Sequence, residues 1–362
     1  MESQTLNELA KDRLGRLWVG SDVGISLISN GTVTNIRDLA TEGGQVILRN
    51  VKSIVCTNSV LMACEDRILH YDSKTDFART IRYNDLILNT QDFLLEGNLA
   101  TFYDKETHSL YSYDLESMEC SLVSAFNGNE DFSFSKILRS QSDSTIIYLA
   151  DDALGLYRFD RRDGSLKHIP GTDYPIIAKA TSIDNSNVIW LSVPSKGIIG
   201  YHISGNYEIV AEYNTNNCSL LSNNITYMTP LPNGNMLTCH SDLGACILER
   251  SNIINGRANV EIIPKLKNIT STLVNSQERE TLYATAGFGL VSMKKTFIDQ
   301  LFYLHEHGDG IISYENYISA FEEPEGTVIL GTQDNGICRI DPITNLKNIF
   351  IKTIFCDLSI NF

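Results

Sequence analysis

Apolar and polar residues alternate in short runs along this chain, and glycine punctuates the runs at regular intervals. The clearest instance is 10–27, AKDRLGRLWVGSDVGISL. An alternating run ends in Asp12, a tight turn follows at Gly15, a β-rich run over 17–21 carries Trp18, a second turn reaches Gly24, and a third run begins at Ile25. A period of two bounded by turn formers marks a strand, so this stretch predicts strand, turn, strand, turn, strand. No long segment sustains a helical period, and almost no helix is expected.

The same grammar returns at 317–341, YISAFEEPEGTVILGTQDNGICRID, where GTVILGTQDNGI sits over GRLWVGSDVGI with one residue inserted in the second turn. Weaker copies occupy 59–72, 98–114, 144–160, 187–203, 234–248 and 280–293; the last four keep the glycine that opens the third strand, as Gly155, Gly197, Gly244 and Gly289. The residues aligned with Trp18 are Leu61, Leu99, Tyr148, Trp190, Leu237, Tyr283 and Ile329, a mean period of about 44 residues that falls in the range of a four-stranded propeller blade. Fourth strands follow at VTNI (33–36), LKHI (166–169), YEIVAEY (207–213), NVEII (259–263) and NLKNIFI (345–351).

The chain therefore predicts an all-β fold, a β-propeller of four-stranded antiparallel blades. Its eight repeat units cover approximately 5–36, 50–81, 90–123, 134–169, 176–213, 224–263, 269–304 and 317–351, read as a single domain over 1–362. They form either an eight-bladed ring or a seven-bladed ring plus an extra unit. One small sheet cannot bury both faces by itself, and stacking sheets around an axis does so while leaving only short edges. The first strand of each blade lies innermost, so 6–11, 137–139 and 318–321 are expected to line the channel, while Trp18, Tyr148, Trp190 and Tyr283 pack between blades as core.

Composition changes the picture mainly by exclusion. The net charge of −15, spread throughout, repels phosphate backbones, so no nucleic-acid partner is expected. No apolar run approaches a membrane span, so no membrane contact is expected. The start, MESQTLNELAKD, has neither the basic nor the apolar part of a signal peptide, and the abrupt end IKTIFCDLSINF favours a segment of a longer exported protein over a cytoplasmic one. The eight cysteines form no CxxC pair and read as small buried strand residues rather than as metal ligands or disulfides. HEHGDG, with His305 and His307 flanking Glu306, reads as a polar loop joining the seventh and eighth units, and the sequons at Asn30, Asn217, Asn224 and Asn268 as chance occurrences in an Asn- and Ser-rich chain. There is no GxSxG, no HExxH and no phosphate-cradling loop; no catalytic residue, metal or cofactor is expected.

DRLGRLWVGSDVGI, echoed by EGTVILGTQDNGICRID, resembles the two-component regulator propeller repeat, whose pattern runs roughly DxxGxLWxGTxxGLxxxD. A sialidase Asp-box has one residue between Asp and Gly, where Asp12 and Gly15 have two between them; the WD dipeptide of WD40 repeats is absent, as is the extra Thr of the quinoprotein tryptophan-docking motif. The resemblance implies a sensor. That repeat typifies the periplasmic part of hybrid two-component regulators in glycan-degrading gut bacteria, where propellers of usually seven blades precede an immunoglobulin-like domain, a membrane helix and a histidine kinase. This chain carries eight units and no kinase, receiver or DNA-binding segment, so it cannot transmit a signal by itself.

Ligands reach a propeller where the turns between second and third strands and the crossovers between blades open around the channel mouth. The turns contribute Asp22, Asp152, Lys196, His240, Asp242, Phe288, Asp334 and Asn335, and the crossovers Tyr174, Asn217, His305 and Asp309. Carboxylates, amides and aromatics in this mixture suit an oligosaccharide, whose hydroxyls need paired donors and acceptors and whose CH faces pack on rings. The leading expectation is a non-enzymatic periplasmic sensor that binds an oligosaccharide or supports a homodimer of its parent receptor. The alternatives are a propeller lyase or glycoside hydrolase acting at the mouth, and a scaffold whose acidic rim docks another protein.

Overall fold

The computed structural model describes residues 3–126, 132–203, 206–254, 257–275, 280–294 and the strands over 317–322, 328–332, 337–340 and 347–350. The chain divides into two compact units, Met1–Met293 and Lys294–Phe362, where the repeat count suggests one domain over 1–362. Helical structure among the described residues is limited to two short 3-10 turns, Ala178–Ala180 and Ser241–Leu243.

In the first unit seven antiparallel blades follow one another, each with its strands hydrogen-bonded in chain order. Their innermost strands are Leu6–Lys11, Ser53–Cys56, Leu94–Glu96, Phe134–Arg139, Thr181–Ile183, Tyr227–Pro230 and Ile269–Asn275. Blades 1 and 3 to 6 have four strands, and blade 7 has three among the described residues, ending with Gly289–Lys294. Blade 2 is extended: the hairpin Asp38–Thr41 and Gly44–Ile47 joins its outer strand Phe77–Thr80 in a parallel pairing, with Phe77 opposite Ala40. A two-stranded hairpin, Arg82–Tyr83 with Leu86–Ile87, then leads to blade 3.

The core sits between successive blades, as a stacked-sheet fold requires. Tyr148 and Leu156 of blade 4 share a cluster with Ile189, Leu191 and Tyr201 of blade 5, and Trp190 of blade 5 shares one with Met228, Met236 and Cys246 of blade 6. Leu6, Leu9, Leu17 and Val19 of blade 1 cluster with Ala284 of blade 7, and Thr270 Oγ1 donates to the Leu6 carbonyl at 2.6 Å. Blade 7 thus packs on blade 1 and closes a seven-bladed ring inside the first unit. The second unit contains one four-stranded antiparallel sheet, Tyr317–Glu322, Val328–Thr332, Ile337–Ile340 and Lys347–Phe350. Residues 318–321, expected in the channel, belong to that sheet and not to the seven inner strands.

The fingerprint residues act as internal fasteners. Asp12 Oδ1 accepts the Leu14 and Arg16 amides, while Oδ2 accepts the Trp18 indole at 2.9 Å and Arg16 Nε at 2.6 Å. Blade 5 repeats the device six residues apart, with Asp184 accepting the Ser186 and Val188 amides and the Trp190 indole at 2.8 Å. Both tryptophans are buried core, as expected. The third-strand glycines have a second cause: Gly155 and Gly197 have φ of +96° and +102°, and a Cβ there would stand 2.0 Å from the Thr172 carbonyl oxygen and 2.2 Å from that of Tyr213. Only glycine lets the chain at or just after the fourth strand pass so close.

Candidate functional site: the channel and its mouth

The turns between second and third strands are laced to the crossovers, so the two sets of loops do share one face. In blade 1 the Asn50 amide donates to the Asp22 carbonyl at 2.8 Å. In blade 2 Asn89 Nδ2 donates to the Glu65 carbonyl, in blade 5 the Ser195 amide donates to Asn224 Oδ1, and in blade 6 Asn268 Nδ2 donates to Asp242 Oδ1 at 3.1 Å. The amides of Gly287 and Gly289 in blade 7 both donate to the Gln4 carbonyl. In these five blades the turn is therefore fixed by the segment that leads into the next blade.

Eight of the twelve expected ligand residues are described; Asp334, Asn335, His305 and Asp309 lie outside the described residues. Asp22 Oδ1 accepts Ser3 Oγ, and Asp152 accepts the hydroxyls of Ser133 and Ser135. Asn217 is spent on the Asn214 amide and the Glu212 carbonyl. Tyr174 packs on the core between blades 4 and 5, with its hydroxyl 2.8 Å from that of Tyr201. Lys196 and Phe288 are exposed. No hydrogen bond or ion pair joins any two of these eight.

His240 departs most from expectation. It is 1% exposed, with Nε2 3.0 Å from Thr238 Oγ1 and Nδ1 3.4 Å from Ser222 Oγ. Burial pushes its pKa down to about 4, so it is a neutral internal fastener and not a mouth-facing ligand group. A turn residue has no fixed side-chain direction in the sequence, and here the imidazole folds inward between two strands.

The groups that face one another are deeper, on the inner strands and the crossovers just before them. They border a cavity of about 320 Å³ lined by Glu8, Lys136, Lys179, Thr181, Ser182, Tyr227, Thr229 and Ser271, drawn from blades 1, 4, 5, 6 and 7. Lys179, on the 3-10 turn before blade 5, reaches across the ring to blade 1, placing Nζ 2.8 Å from Glu8 Oε2 and 3.2 Å from the Asn7 carbonyl. Ser271 of blade 7 donates to Glu8 Oε1. Lys136 Nζ pairs with Asp92 Oδ1 at 3.1 Å; burial alone would lower its pKa, but the Asp92 and Glu8 carboxylates outweigh that and hold it above its usual value. Tyr227 is pushed up by burial. Ser182, itself buried, has no partner for Oγ among the described residues.

Sequence reasoning places 6–11 and 137–139 in the channel but does not single out Glu8, Lys136, Lys179 or Asp92. For Glu8 and Lys136 the available signal was a charged residue on an inner strand, which a stacked fold tolerates only where side chains meet water or an opposite charge; Lys179 and Asp92 precede their strands and carried no such signal. Cys64, Cys218, Cys239 and Cys246 are buried free thiols, as expected, while Cys56 and Cys120 are half-buried. Burial raises the Cys56 and Cys64 thiols to about 12. Among the described residues no His, Cys, Asp and Glu cluster is arranged to hold a metal, and no helix is long and apolar enough to cross a membrane.

The chain matches no protein-family model and no curated protein sequence. Solved structures do match. A crystal structure described as the extracellular domain of the hybrid two component system BT3049 from B. thetaiotaomicron superposes with a TM-score of 0.64 at 14% identity, over 97% of this chain and 48% of that one. The extracellular domain of BT4673, from the same organism, gives 0.56 at 17% identity, over 96% and 46%. A chain of the mitotic checkpoint complex gives 0.60 at 12%, over 82% and 88%. This chain thus spans about half the length of the two bacterial structures it matches. At such identities the likeness establishes the architecture, a seven-bladed β-propeller.

Proposed function

We propose that this chain is the ligand-sensing propeller of a two-component regulator, that it works in the periplasm without catalysing a reaction, and that it recognises an oligosaccharide at the channel. The observation that supports this reading is the lumen, where donors and acceptors from five blades converge on one cavity. Its volume of about 320 Å³ is at the small end of the ~300–1,000 Å³ typical of ligand pockets, a size for the terminal unit of a sugar chain rather than the whole. Glu8 and Asp92 are each engaged by a lysine, an arrangement suited to holding hydroxyls rather than to carboxylate acid–base work. The likeness to extracellular domains of two-component systems favours sensing outside the cytoplasm.

Titration calorimetry with a panel of oligosaccharides, followed by chromatography of the mixtures, tests the reading. Saturable binding of a defined fragment is expected, with the fragment recovered intact, and Lys179→Met is expected to weaken it about tenfold without changing the circular dichroism spectrum. Appearance of shorter or unsaturated sugars would establish an enzyme instead. Binding indifferent to both Lys179→Met and Lys136→Met would remove the lumen from the proposal.

A further inference from the structure

Blade 2 departs from the four-strand repeat twice, and both departures border the same groove. The added hairpin over 38–47 brings Glu42 to one side, the hairpin of Arg82–Tyr83 with Leu86–Ile87 forms another, and blade 3 supplies Tyr113, Met118 and Cys120. The enclosed volume is about 600 Å³. This groove is lined by the fourth strand of blade 2, Phe77–Thr80, and the hairpins on either side of it in the chain, whereas the lumen is lined by first strands and the crossovers before them, so the two sites draw on different strands.

Its chemistry runs against the charge of the chain. Along Phe77–Thr80 the residues alternate, with Ala78 and Thr80 buried and Phe77 and Arg79 exposed. The Arg79 side chain makes no ion pair or hydrogen bond among the described residues, and that of Arg82 donates only to the uncharged Asp85 carbonyl at 3.1 Å. Glu42, the one carboxylate in the lining, accepts the Thr80 amide at 3.1 Å, which pins the added hairpin to the strand. Two guanidiniums thus outnumber the single carboxylate in the lining of this groove, in a protein of net charge −15. In such a chain a cationic surface of this kind needs a cause.

The walls are ordered and partly apolar. Tyr113 OH is 2.8 Å from His70 Nδ1, whose other nitrogen is 2.5 Å from Ser59 Oγ. The Tyr83 ring lies 5.3 Å from that of Tyr111, holding the second hairpin on blade 3. Phe77 and Met118 are 37% and 45% exposed, leaving apolar faces open beside the guanidiniums.

We propose that this groove is a second binding site, specific for an oligosaccharide that carries carboxylate or sulfate groups. A guanidinium fork matches the paired oxygens of either group bidentately, and the exposed Phe77 face takes the CH side of a sugar ring. The volume suits two or more rings. That the ligand is a carbohydrate rests on the proposed sensor function; its charge and its place on blade 2 rest on the groove alone.

The test uses the full chain with trigalacturonate, a sulfated galactose trimer and uncharged galactotriose, at low and high salt, with hydrogen exchange to map the site. One or both acidic trimers should bind at least tenfold tighter than galactotriose, lose affinity with salt, and protect residues 77–83 and 118–120. Arg79→Gln should weaken that binding about tenfold and Arg79→Gln with Arg82→Gln further; both residues are exposed, so an unchanged circular dichroism spectrum is expected to confirm folding. Failure of both acidic trimers, indifference to the two substitutions, or equal binding of a hexaglutamate peptide would overturn the proposal. Neutral sugar binding lost in Lys179→Met, together with acidic-trimer binding that is absent or indifferent to Arg79→Gln, would leave the lumen reading intact while this one falls, and acidic-trimer binding lost in Arg79→Gln with no neutral sugar bound at the lumen would separate them the other way.

Discussion

His240 shows how far local packing moves a residue from its ordinary chemistry. Its folded pKa, about 4, lies below the usual 6.5 because burial of the ring outweighs its hydrogen bond to the Ser222 backbone. The unfolded chain therefore takes up the proton first as pH falls. The stabilisation is complete above pH 6.5 and is lost as pH drops from 6.5 toward 4, by about 3 kcal/mol at most at ~1.4 kcal/mol per pH unit. His70, also depressed by burial and by Arg79, adds in the same direction. Asp12 is separable, since its carboxyl is held below 3.8, against the pull of burial, by the Trp18 and Arg16 hydrogen bonds, and its contribution disappears only below that pH. Urea midpoints at pH 7 and pH 4.5 should fall less for His240→Gln than for the unsubstituted chain. Equal falls would mean that the imidazole is not the acid-sensitive group.

At the scale of the element, the glycine that opens the third strand is the most legible feature of the sequence, and the structure supplies two reasons for it. Both the left-handed φ and the close approach of the Thr172 carbonyl apply at Gly155, so Gly155→Ala is expected to cost more than about 2 kcal/mol. Gly164, with φ +70° but open space for 4 Å around the point a Cβ would occupy, should cost only about 1 kcal/mol as alanine. Thermal unfolding of the two variants checks the difference, and similar losses would mean that backbone conformation alone fixes the glycine. Blade 3 lacks this glycine and still forms, because His108 takes φ 47° and Asp104 accepts the Thr107 amide and hydroxyl. A different residue solved the same turn, which is why that copy is faint to pattern reading. The blade 2 hairpins are illegible for another reason: burial alternates over 38–41 but not over 44–47, and alternation in any case carries no information about which sheet edge a strand will join.

For the whole molecule, the decisive contacts join the ends of the first unit. Leu9 N donates to Ser271 Oγ at 3.2 Å, Thr5 and Ala286 form an antiparallel bridge, and apolar residues of blades 1 and 7 share one cluster. These contacts are complete by residue 293. A chain ending at Met293 is therefore expected to give an all-β circular dichroism spectrum and one cooperative thermal transition. A broad, non-cooperative melt would show that the ring needs the segment beyond it.

The sequence by itself determined the strand-and-turn grammar, its period of about 44 residues, the buried tryptophans and the face on which the loops gather, because each depends on local alternation and on backbone freedom at single residues. Only the tertiary structure decided that seven blades close the circle, that His240 turns inward, and that Glu8, Lys136 and Lys179 meet across the lumen. Those outcomes depend on the angle accumulated between stacked sheets and on pairings between residues more than one hundred positions apart, such as Glu8 and Lys179. A one-dimensional pattern holds no record of which distant charges will neutralise each other.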